Sequence, residues 1–388
     1  MTVWDELVGQ PEALAVFQAA AASELESSDA SASTMTHSWL ITGPPGSGRS
    51  NLAYAFAASL LCRTQGCGDC PDCRQVAART HPDLATLTTE RVIISIDEVR
   101  DLVEGSYYSP SVSRYRVIVI EDADRMAERT SNVLLKALEE PPERTVWILC
   151  APSEADLIPT IRSRVRSVRL RVPSIENVTN LLVERDGVER AQAELAARHA
   201  QSHIGMAHRL ATNDEAASRR AESIELVLAM RGVHDAVMAA ARLLEIATDD
   251  AKALTDERDA EELEYTRRTL GIAEDDAIPA QMRSQFKNLE EQQKRRATRS
   301  LRDGLDRILV DLMSVYRDVV RIQLGVDGDL INREELPALT TIANARTAEQ
   351  SLAALDAISE ARERIASNVS PALALEAMLI HAIRRLAA

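Results

Sequence analysis

Apolar and polar residues form two kinds of segment in the first 170 or so residues of the chain. Short apolar runs bounded by charged or turn-forming residues predict buried strands, at 38–42, 115–122, 145–153 and 165–173. Longer segments with helix-forming residues predict helices at 51–61 and 131–143, the second ending at two prolines. Because strands and helices alternate, the pattern indicates an α/β domain with a parallel sheet and crossover helices.

The strand pattern disappears after Pro173. Residues 174–235 are expected to form a small helical domain, and residues 236–388 a larger helical one with strongly charged segments at 248–264 and 280–324. A chain of 388 residues is too long for one ordinary core, so three domains suit its length. The predicted boundaries are 1–173, 174–235 and 236–388.

Composition narrows the function classes. Apolar residues make up 45% and charged residues 27%, which is typical of a folded globular protein. The sequence contains neither an apolar run of membrane-spanning length nor a signal-peptide pattern, so we expect a cytoplasmic protein without a membrane partner. A net charge of −15 argues against broad nucleic-acid binding by the chain alone, and favours contact with DNA through a local patch or more basic partners.

The segment GPPGSGRS, residues 43–50, matches a phosphate-binding loop at every position but one. It lies between a predicted strand and a predicted helix, where backbone N–H groups and the helix N-terminus can bind phosphate oxygens. Gly43, Gly46 and Gly48 are the loop glycines, and Ser50 is placed to ligate Mg²⁺. Arg49 stands where the pattern requires lysine, and its bulkier planar group makes the exchange non-conservative. Nucleotide binding can persist through the backbone, whereas hydrolysis is expected to be lost.

The second half of a nucleotide-hydrolysing site would be an apolar strand ending in Asp-Glu. Here the strand ends in Glu121-Asp122, the reverse order. The swap displaces each carboxylate by about one methylene, and a misplacement of ~1 Å can cost ~100-fold in catalysis. Two acids that merely solvate a strand end are the alternative interpretation.

Four of the five cysteines fall within twelve residues, in CRTQGCGDCPDC. Cys62, Cys67, Cys70 and Cys73 supply four soft ligands for a tetrahedral Zn²⁺, and no open position is evident, which favours a structural site. A redox pair is the alternative, and the expected cytoplasmic location argues against it. Cys150 ends an apolar strand and is expected to be a small buried hydrophobe.

Two basic segments have competing interpretations. Arg162 and Arg164 precede a strand, where they either face solvent or present a guanidinium to a phosphate on a neighbouring molecule. Residues 283–302 carry a local charge of +5 and could approach a phosphate backbone. Glu290–Lys294 and Glu291–Arg295 have i,i+4 spacing, however, and this favours ordinary surface pairs.

The motifs together resemble the bacterial clamp-loader subunits of the AAA+ class. They occur in that family's order: VGQPEALAVF, HSWLITGPPGSGRS, the four-cysteine module, RYRVIVIEDADRM, LLKALEEPPE and TIRSRV. The resemblance covers residues 1–172 with specific motifs, and the rest only as a helical lid and collar. It implies an AAA+ P-loop domain with a zinc module inserted at about 62–73, a small lid, and an oligomerisation collar. It also places Val8 in the segment that forms the adenine pocket.

Departures from the family pattern concern the catalytic residues. Motor subunits keep lysine in the P-loop, Asp-Glu after the strand and a polar residue after the sensor strand. This chain has Arg49, Glu121-Asp122 and Ala151-Pro152 at those places. The chain therefore resembles the family in scaffold but lacks its own catalytic parts.

The lid departs from the family pattern as well, whereas the motif that is expected to face a neighbouring subunit keeps its arginine. The lid position expected to hold a sensor arginine has His208, with Arg209 one residue further on. Ser163 and Arg164 match the family's Ser-Arg-Cys signature, with Val165 in place of the cysteine. Arg164 is thus the candidate arginine finger for a neighbouring subunit's ATP site.

A chain that has lost its own catalytic residues but keeps the arginine finger resembles the delta-prime type of subunit. This implies a stator in a hetero-pentameric ring with gamma/tau motor subunits and a delta subunit, which opens the sliding clamp and loads it onto primer-template DNA. Little or no intrinsic ATPase is expected, and ATP or ADP binding stays possible at the Arg49 loop. Two alternatives remain: a gamma/tau-type motor ATPase that tolerates the Lys→Arg exchange, and a zinc-containing nucleic-acid-binding adaptor with an ancestral P-loop.

Overall fold

A computed structural model describes residues 2–5, 7–26, 34–88, 93–270, 272, 278–279, 281–326 and 328–384. The chain divides into two compact units, Met1–Thr212 and Asn213–Ala388. The predicted three-domain division remains a prediction, because these units meet between residues 212 and 213, inside the segment assigned to the lid.

The first unit is built on a five-stranded sheet whose paired strands are all parallel. Its strands are β1 Ser38–Thr42, β2 Leu84–Leu87, β3 Arg116–Ile120, β4 Thr145–Ala151 and β5 Arg166–Arg169, in the spatial order β2-β3-β4-β1-β5. The predicted parallel sheet is therefore confirmed. β2 was not predicted, since its four residues, LATL, form too short an apolar pattern to detect.

Helices cover both faces of this sheet, as the fold class required. The α-helices of the first unit are α1 Pro11–Glu26, α2 Arg49–Leu61, α3 Pro71–Ala77, α4 Ile96–Ser106, α5 Glu128–Glu139, α6 Pro159–Arg162, α7 Ile175–Asp186, α8 Arg190–His199 and α9 Ile204–Thr212. Side chains alternate along β1, so that Trp39 and Ile41 join one core while Leu40 joins the other. On the first face, Trp39, Phe17 of α1 and Phe56 of α2 pack together, and the centroids of the three rings lie 4.6–5.5 Å from one another.

The last three helices of this unit, α7 to α9, have a core of their own. Val178, Leu182 and Ala197 are completely buried within it. This small helical cluster, α7 to α9, lies within the segment 174–235 predicted as a lid and is called the lid below; its helix α9 begins next to the P-loop.

The second unit is helical throughout its described part. Its α-helices are α10 Asp214–Ala229, α11 Val233–Thr269, α12 Arg283–Leu324, α13 Leu336–Ala345, α14 Ala348–Ala366 and α15 Pro371–Arg384. The all-helical C-terminal region is thus confirmed.

The charged segments of this unit lie inside its long helices. The acidic segment 248–264 belongs to α11, and the basic segment 283–302 belongs to α12. Arg296 of α12 pairs with Asp259 and Glu262 of α11, while Arg295 pairs with Glu291 of its own helix at 3.4 Å. These pairings favour the interpretation as surface ion pairs over a DNA-binding face. No helix among the described residues has the length and apolar character that crossing a membrane requires.

Candidate functional site

The P-loop connects β1 to α2 and has the backbone shape of a phosphate-binding turn. Gly46 and Gly48 adopt positive φ angles of 79° and 92°, and Gly48 caps the N-terminus of α2. A side chain at Gly46 would clash with the His203 ring, because its Cβ would lie 2.2 Å from the imidazole Cγ. The Ile204 N–H donates to the Gly46 carbonyl at 3.1 Å, so the lid directly contacts the loop.

A cleft of about 530 Å³ opens between the P-loop and the lid. It is lined by Gly46, Gly48, Arg49, Ser50, Asn51, Arg185, Ile204, Gly205 and His208. The volume is within the range of small-molecule sites. The structure therefore brings most of the predicted loop residues to one cavity of nucleotide size.

Arg49 turns back onto its own loop. Its Nη1 donates to the Gly43 carbonyl oxygen at 2.8 Å. The guanidinium is thus bound at the base of the loop, whereas the lysine of an active P-loop extends to the terminal phosphates.

Glu121 follows β3 and is surrounded by donors. Its Oε2 accepts from the Ser50 hydroxyl at 2.9 Å, and its Oε1 accepts from the hydroxyls of Tyr54 and Thr88, each at 2.7 Å. Arg79 Nη1 lies 3.1 Å from the same Oε1. The carboxylate on the strand therefore binds protein groups, among them the hydroxyl predicted to ligate Mg²⁺.

The two acids that follow Glu121 have different surroundings: Asp122 lies beside a cation, and Asp124 is partly buried. Asp122 Oδ2 lies 3.6 Å from Arg125 Nε. Burial raises the pKa of Asp124. Both predicted site carboxylates, Glu121 and Asp122, lie near the loop, but each has a protein cation beside it.

Gln10 is a part of this region that sequence analysis missed. It is buried, and its Nε2 donates to the carbonyl oxygens of Arg171 at 2.7 Å and Ser47 at 3.3 Å. The Arg171 N–H donates back to Gln10 Oε1 at 3.0 Å. Val8, two residues earlier, packs against the lid core. The VGQ segment, residues 8–10, thus connects the P-loop to the backbone that follows β5. The polar Gln10 in this segment is the residue by which the connection could have been predicted.

A polar cluster lies where the lid meets the cleft. Asp186 accepts from Arg185 Nε and Nη2, both at 2.8 Å, and lies 2.8 Å from His208 Nδ1. These Arg185 bonds, with the contribution of His208, lower the pKa of Asp186. Of the two candidate sensor residues, His208 lines the cleft and Arg209 does not.

Arg164 lies after α6 at a partly exposed position and is not among the residues that line the cleft. Its Nε donates to Glu139 Oε1 at 2.6 Å, and its Nη1 donates to the Thr160 carbonyl at 2.7 Å and the Ser163 hydroxyl at 2.9 Å. About a third of its side chain, 32%, is exposed. The guanidinium is therefore held in one orientation but remains accessible from outside.

The four predicted cysteine ligands converge between α2 and α3. All four Sγ atoms lie within 4.8 Å of one another, with Cys62 Sγ 3.5 Å from Cys70 Sγ and 3.9 Å from Cys67 Sγ. Tetrahedral zinc with Zn–S bonds of ~2.3 Å requires sulfurs ~3.8 Å apart. The cluster could hold a metal ion, and its spacing fits zinc.

Backbone groups support these sulfurs. The N–H of Gly68 points at Cys73 Sγ, and the N–H of Cys73 points at Cys70 Sγ, each at 3.4 Å. Burial opposes ionisation of Cys62, but the Thr64 hydroxyl and nearby backbone N–H groups outweigh it and lower its pKa to about 6. Burial raises the pKa of Cys73 well above its usual range. Cys150 lies outside this cluster and is completely buried, as expected.

The segment after the cysteine module is fastened by a buried carboxylate. Asp83 accepts from the backbone N–H groups of Ser111, Val112 and Ser113 at 2.5–2.8 Å and is completely buried. Burial alone would raise the pKa of Asp83, but these three donors lower it. This role of Asp83 could not be predicted from the sequence, because the donors are backbone groups of a loop 28 to 30 residues further along the chain.

A family model described as DNA polymerase III, delta subunit matches residues 17–174. A DNA polymerase III subunit delta' from Pseudomonas aeruginosa is 40% identical over 134 residues, which are 33% of this chain and 41% of that protein. The chain spans 39–49% of the length of the first curated relatives it matches. The delta' subunit of Bacillus subtilis is 26% identical over 341 residues, 87% of each chain.

Gamma-type subunits match as well. The DNA polymerase III subunit gamma/tau of Mycobacterium bovis is 31% identical over 166 residues, 40% of this chain and 28% of that protein. The crystal structure of a gamma subunit-related protein from Thermotoga maritima aligns with a TM-score of 0.42 at 19% identity, covering 90% of this chain and 94% of that one.

Proposed function

We propose that the protein is a delta-prime-type stator of a clamp loader, because residues 17–174 match a family model described as DNA polymerase III, delta subunit, and delta' subunits are among its relatives. In this role it joins gamma/tau motor subunits and a delta subunit in a hetero-pentameric ring in the cytoplasm. The ring opens a sliding clamp and places it on primer-template DNA during replication.

One observation carries the proposal against the motor-subunit alternative. The Glu121 carboxylate accepts from Ser50, Tyr54 and Thr88 and pairs with Arg79, so a metal ion or an attacking water would have to compete with these partners. Arg49 is bound to Gly43 at the same time. A centre in which these groups bind one another supports a subunit with little or no ATPase of its own.

Arg164 is proposed to act in trans, as an arginine finger. Its bonds to Glu139, Thr160 and Ser163 leave it partly exposed, which suits a guanidinium offered to the ATP site of a neighbouring motor subunit. Such fingers stabilise the charge of the transferring phosphoryl group and are worth ~10³–10⁵ in rate at the site they serve.

Zinc is proposed as the ion of the four-cysteine cluster, with a structural role. The ligands would be Cys62, Cys67, Cys70 and Cys73, and zinc would supply only fixed geometry to the segment between α2 and β2. The assignment of residues 236–388 as an oligomerisation collar, and of 174–235 as a lid, is part of the same proposal.

Reconstitution of the ring tests the function. Arg164→Ala is expected to leave assembly intact and to lower clamp-stimulated ATPase partially, because only one of several ATP sites loses its finger. Arg162→Ala, an exposed arginine of the same segment, serves as the matched control. Wild-type ATPase and clamp loading by the Arg164→Ala ring would contradict the finger, and substantial ATP turnover by the isolated chain would favour the motor-subunit alternative.

A further inference from the structure

The P-loop site offers a magnesium ion a carboxylate that protein groups already surround. The fold family implies Mg²⁺ bound by Ser50 and Glu121, and this ion prefers octahedral oxygen coordination at ~2.0–2.1 Å. Glu121 Oε1 already accepts from Tyr54 and Thr88 and contacts Arg79. Glu121 Oε2 accepts from Ser50, so both oxygens are engaged. Because a guanidinium already lies beside this carboxylate, and Mg²⁺ would have to displace it, these residues do not fit Mg²⁺.

Arg79 is the group that distinguishes this site. Its guanidinium carbon lies 4.6 Å from the centroid of the Tyr54 ring, and its Nη1 lies 3.1 Å from Glu121 Oε1. Stacking on the ring and pairing with the acid hold the cation in one place. The Glu121 side chain is only 12% exposed, so the guanidinium neutralises a carboxylate that is largely withdrawn from water.

The backbone at Arg79 is unusual as well. Its φ is 59°, in the left-handed region, which residues other than glycine adopt uncommonly and at a cost. Arg79 follows α3, the helix of the cysteine module, and its N–H donates to the Val76 carbonyl at 3.0 Å. The end of the cysteine module thus delivers a side chain to the carboxylate of the P-loop site.

We propose that Arg79 is a built-in cation that takes the electrostatic place of Mg²⁺ beside Glu121, so that the cleft binds the phosphate chain of a nucleoside di- or triphosphate without a divalent metal. This inference rests on the proposed function, because it assigns nucleotide binding to a P-loop that has Arg49 in place of lysine and is not expected to support hydrolysis. The phosphates bind the backbone N–H groups of the loop and the N-terminus of α2. A divalent ion beside Glu121 would be repelled by the guanidinium, and its binding would require the Arg79–Glu121 pair to break.

Metal dependence of nucleotide binding tests the inference on the full chain. The protein is titrated with a fluorescent N-methylanthraniloyl derivative of ADP, first in buffer freed of divalent ions by resin and then with millimolar Mg²⁺. No chelator is added, so that any ion in the cysteine cluster is retained. The variants are Arg79→Gly, which suits the positive φ, Arg79→Lys, which keeps the charge, and Arg74→Ala, an exposed arginine of α3, as control.

The wild-type protein, Arg79→Lys and Arg74→Ala are expected to bind the probe equally with and without Mg²⁺, within about twofold. Arg79→Gly is expected to bind at least about tenfold more tightly when Mg²⁺ is added. Mn²⁺ in place of Mg²⁺, followed by electron paramagnetic resonance with ADP present, should show a bound ion in Arg79→Gly and none in the wild type.

Three results would overturn the inference. They are a wild-type affinity that rises about tenfold with Mg²⁺, an Arg79→Gly affinity that ignores Mg²⁺, and no probe binding by any of the proteins. None of them removes the stator role, which is measured separately by ring assembly and clamp loading.

Discussion

The cysteine cluster and the P-loop cleft lie in the same unit, and both follow from short sequence motifs, yet their polar atoms are used differently. In the cluster, four sulfurs converge within 4.8 Å of one another, a spacing that suits an added ion. In the cleft, Arg49 binds Gly43 and Glu121 binds Ser50. A motif thus identifies a scaffold, while the partners of its side chains decide whether the chemistry remains.

The largest expected effect comes from removing a sulfur. Cys70→Ser should lower the zinc content from about one ion per chain to near zero and cost more than about 4 kcal/mol of unfolding free energy, because loss of a structural metal is among the most destabilising changes. Elemental analysis and denaturant unfolding measure both. Cys150→Ala should keep its zinc, and a Cys70→Ser protein with full zinc would refute the assigned ligand set.

Asp83 lies next to the cysteine module but is as fully bonded as Glu121. Asp83→Asn should destabilise the fold by about 2–3 kcal/mol near neutral pH, since a buried charged acceptor is lost. A carboxyl whose pKa is lower in the folded state stabilises the fold above its unfolded pKa, here near 3.8, and loses that contribution as the pH falls through the folded-state pKa.

Unfolding measured over pH therefore checks the Asp83 prediction. The stability difference between the wild type and Asp83→Asn should be constant above about pH 5 and shrink as the pH falls below 3.8. A difference that does not change with acidification would mean that the carboxylate charge plays no part.

Glu121 provides the sharpest contrast with an active catalytic centre. Glu121→Ala should destabilise the chain by about 1–2 kcal/mol, because several donors lose their acceptor, some of them partly exposed to water. Removing a strained catalytic carboxylate commonly stabilises a protein instead. Thermal unfolding of Glu121→Ala, with Asp122→Ala as the control, measures the change in stability. Stabilisation by Glu121→Ala would indicate a working metal site.

The smallest effect is expected from restoring the motif residue. Arg49→Lys should change stability by less than about 0.5 kcal/mol and leave ATPase of the isolated chain at background, because Glu121 keeps all its partners. Steady-state phosphate release measures it. ATPase that appears with this single change would show that Arg49 alone had silenced the site.

Predictions from sequence succeeded where the relevant residues are neighbours in the chain. The strand pattern at 38–42 and 145–153, the loop glycines and the four cysteines each lie within a short segment, so composition and spacing suffice to identify them. Burial of Cys150 also followed from its place in an apolar strand.

Tertiary structure alone decided the state of the cleft. Ser50 and Glu121 are 71 residues apart, Gln10 and Arg171 are 161 apart, and Arg164 meets Glu139 across 25. No local pattern encodes such pairs, because they depend on where the parallel strands end in space. Local sequence patterns were enough to identify a P-loop scaffold and a cysteine cluster. The fold decides that the four cysteine sulfurs converge and that Arg79 pairs with the Glu121 carboxylate.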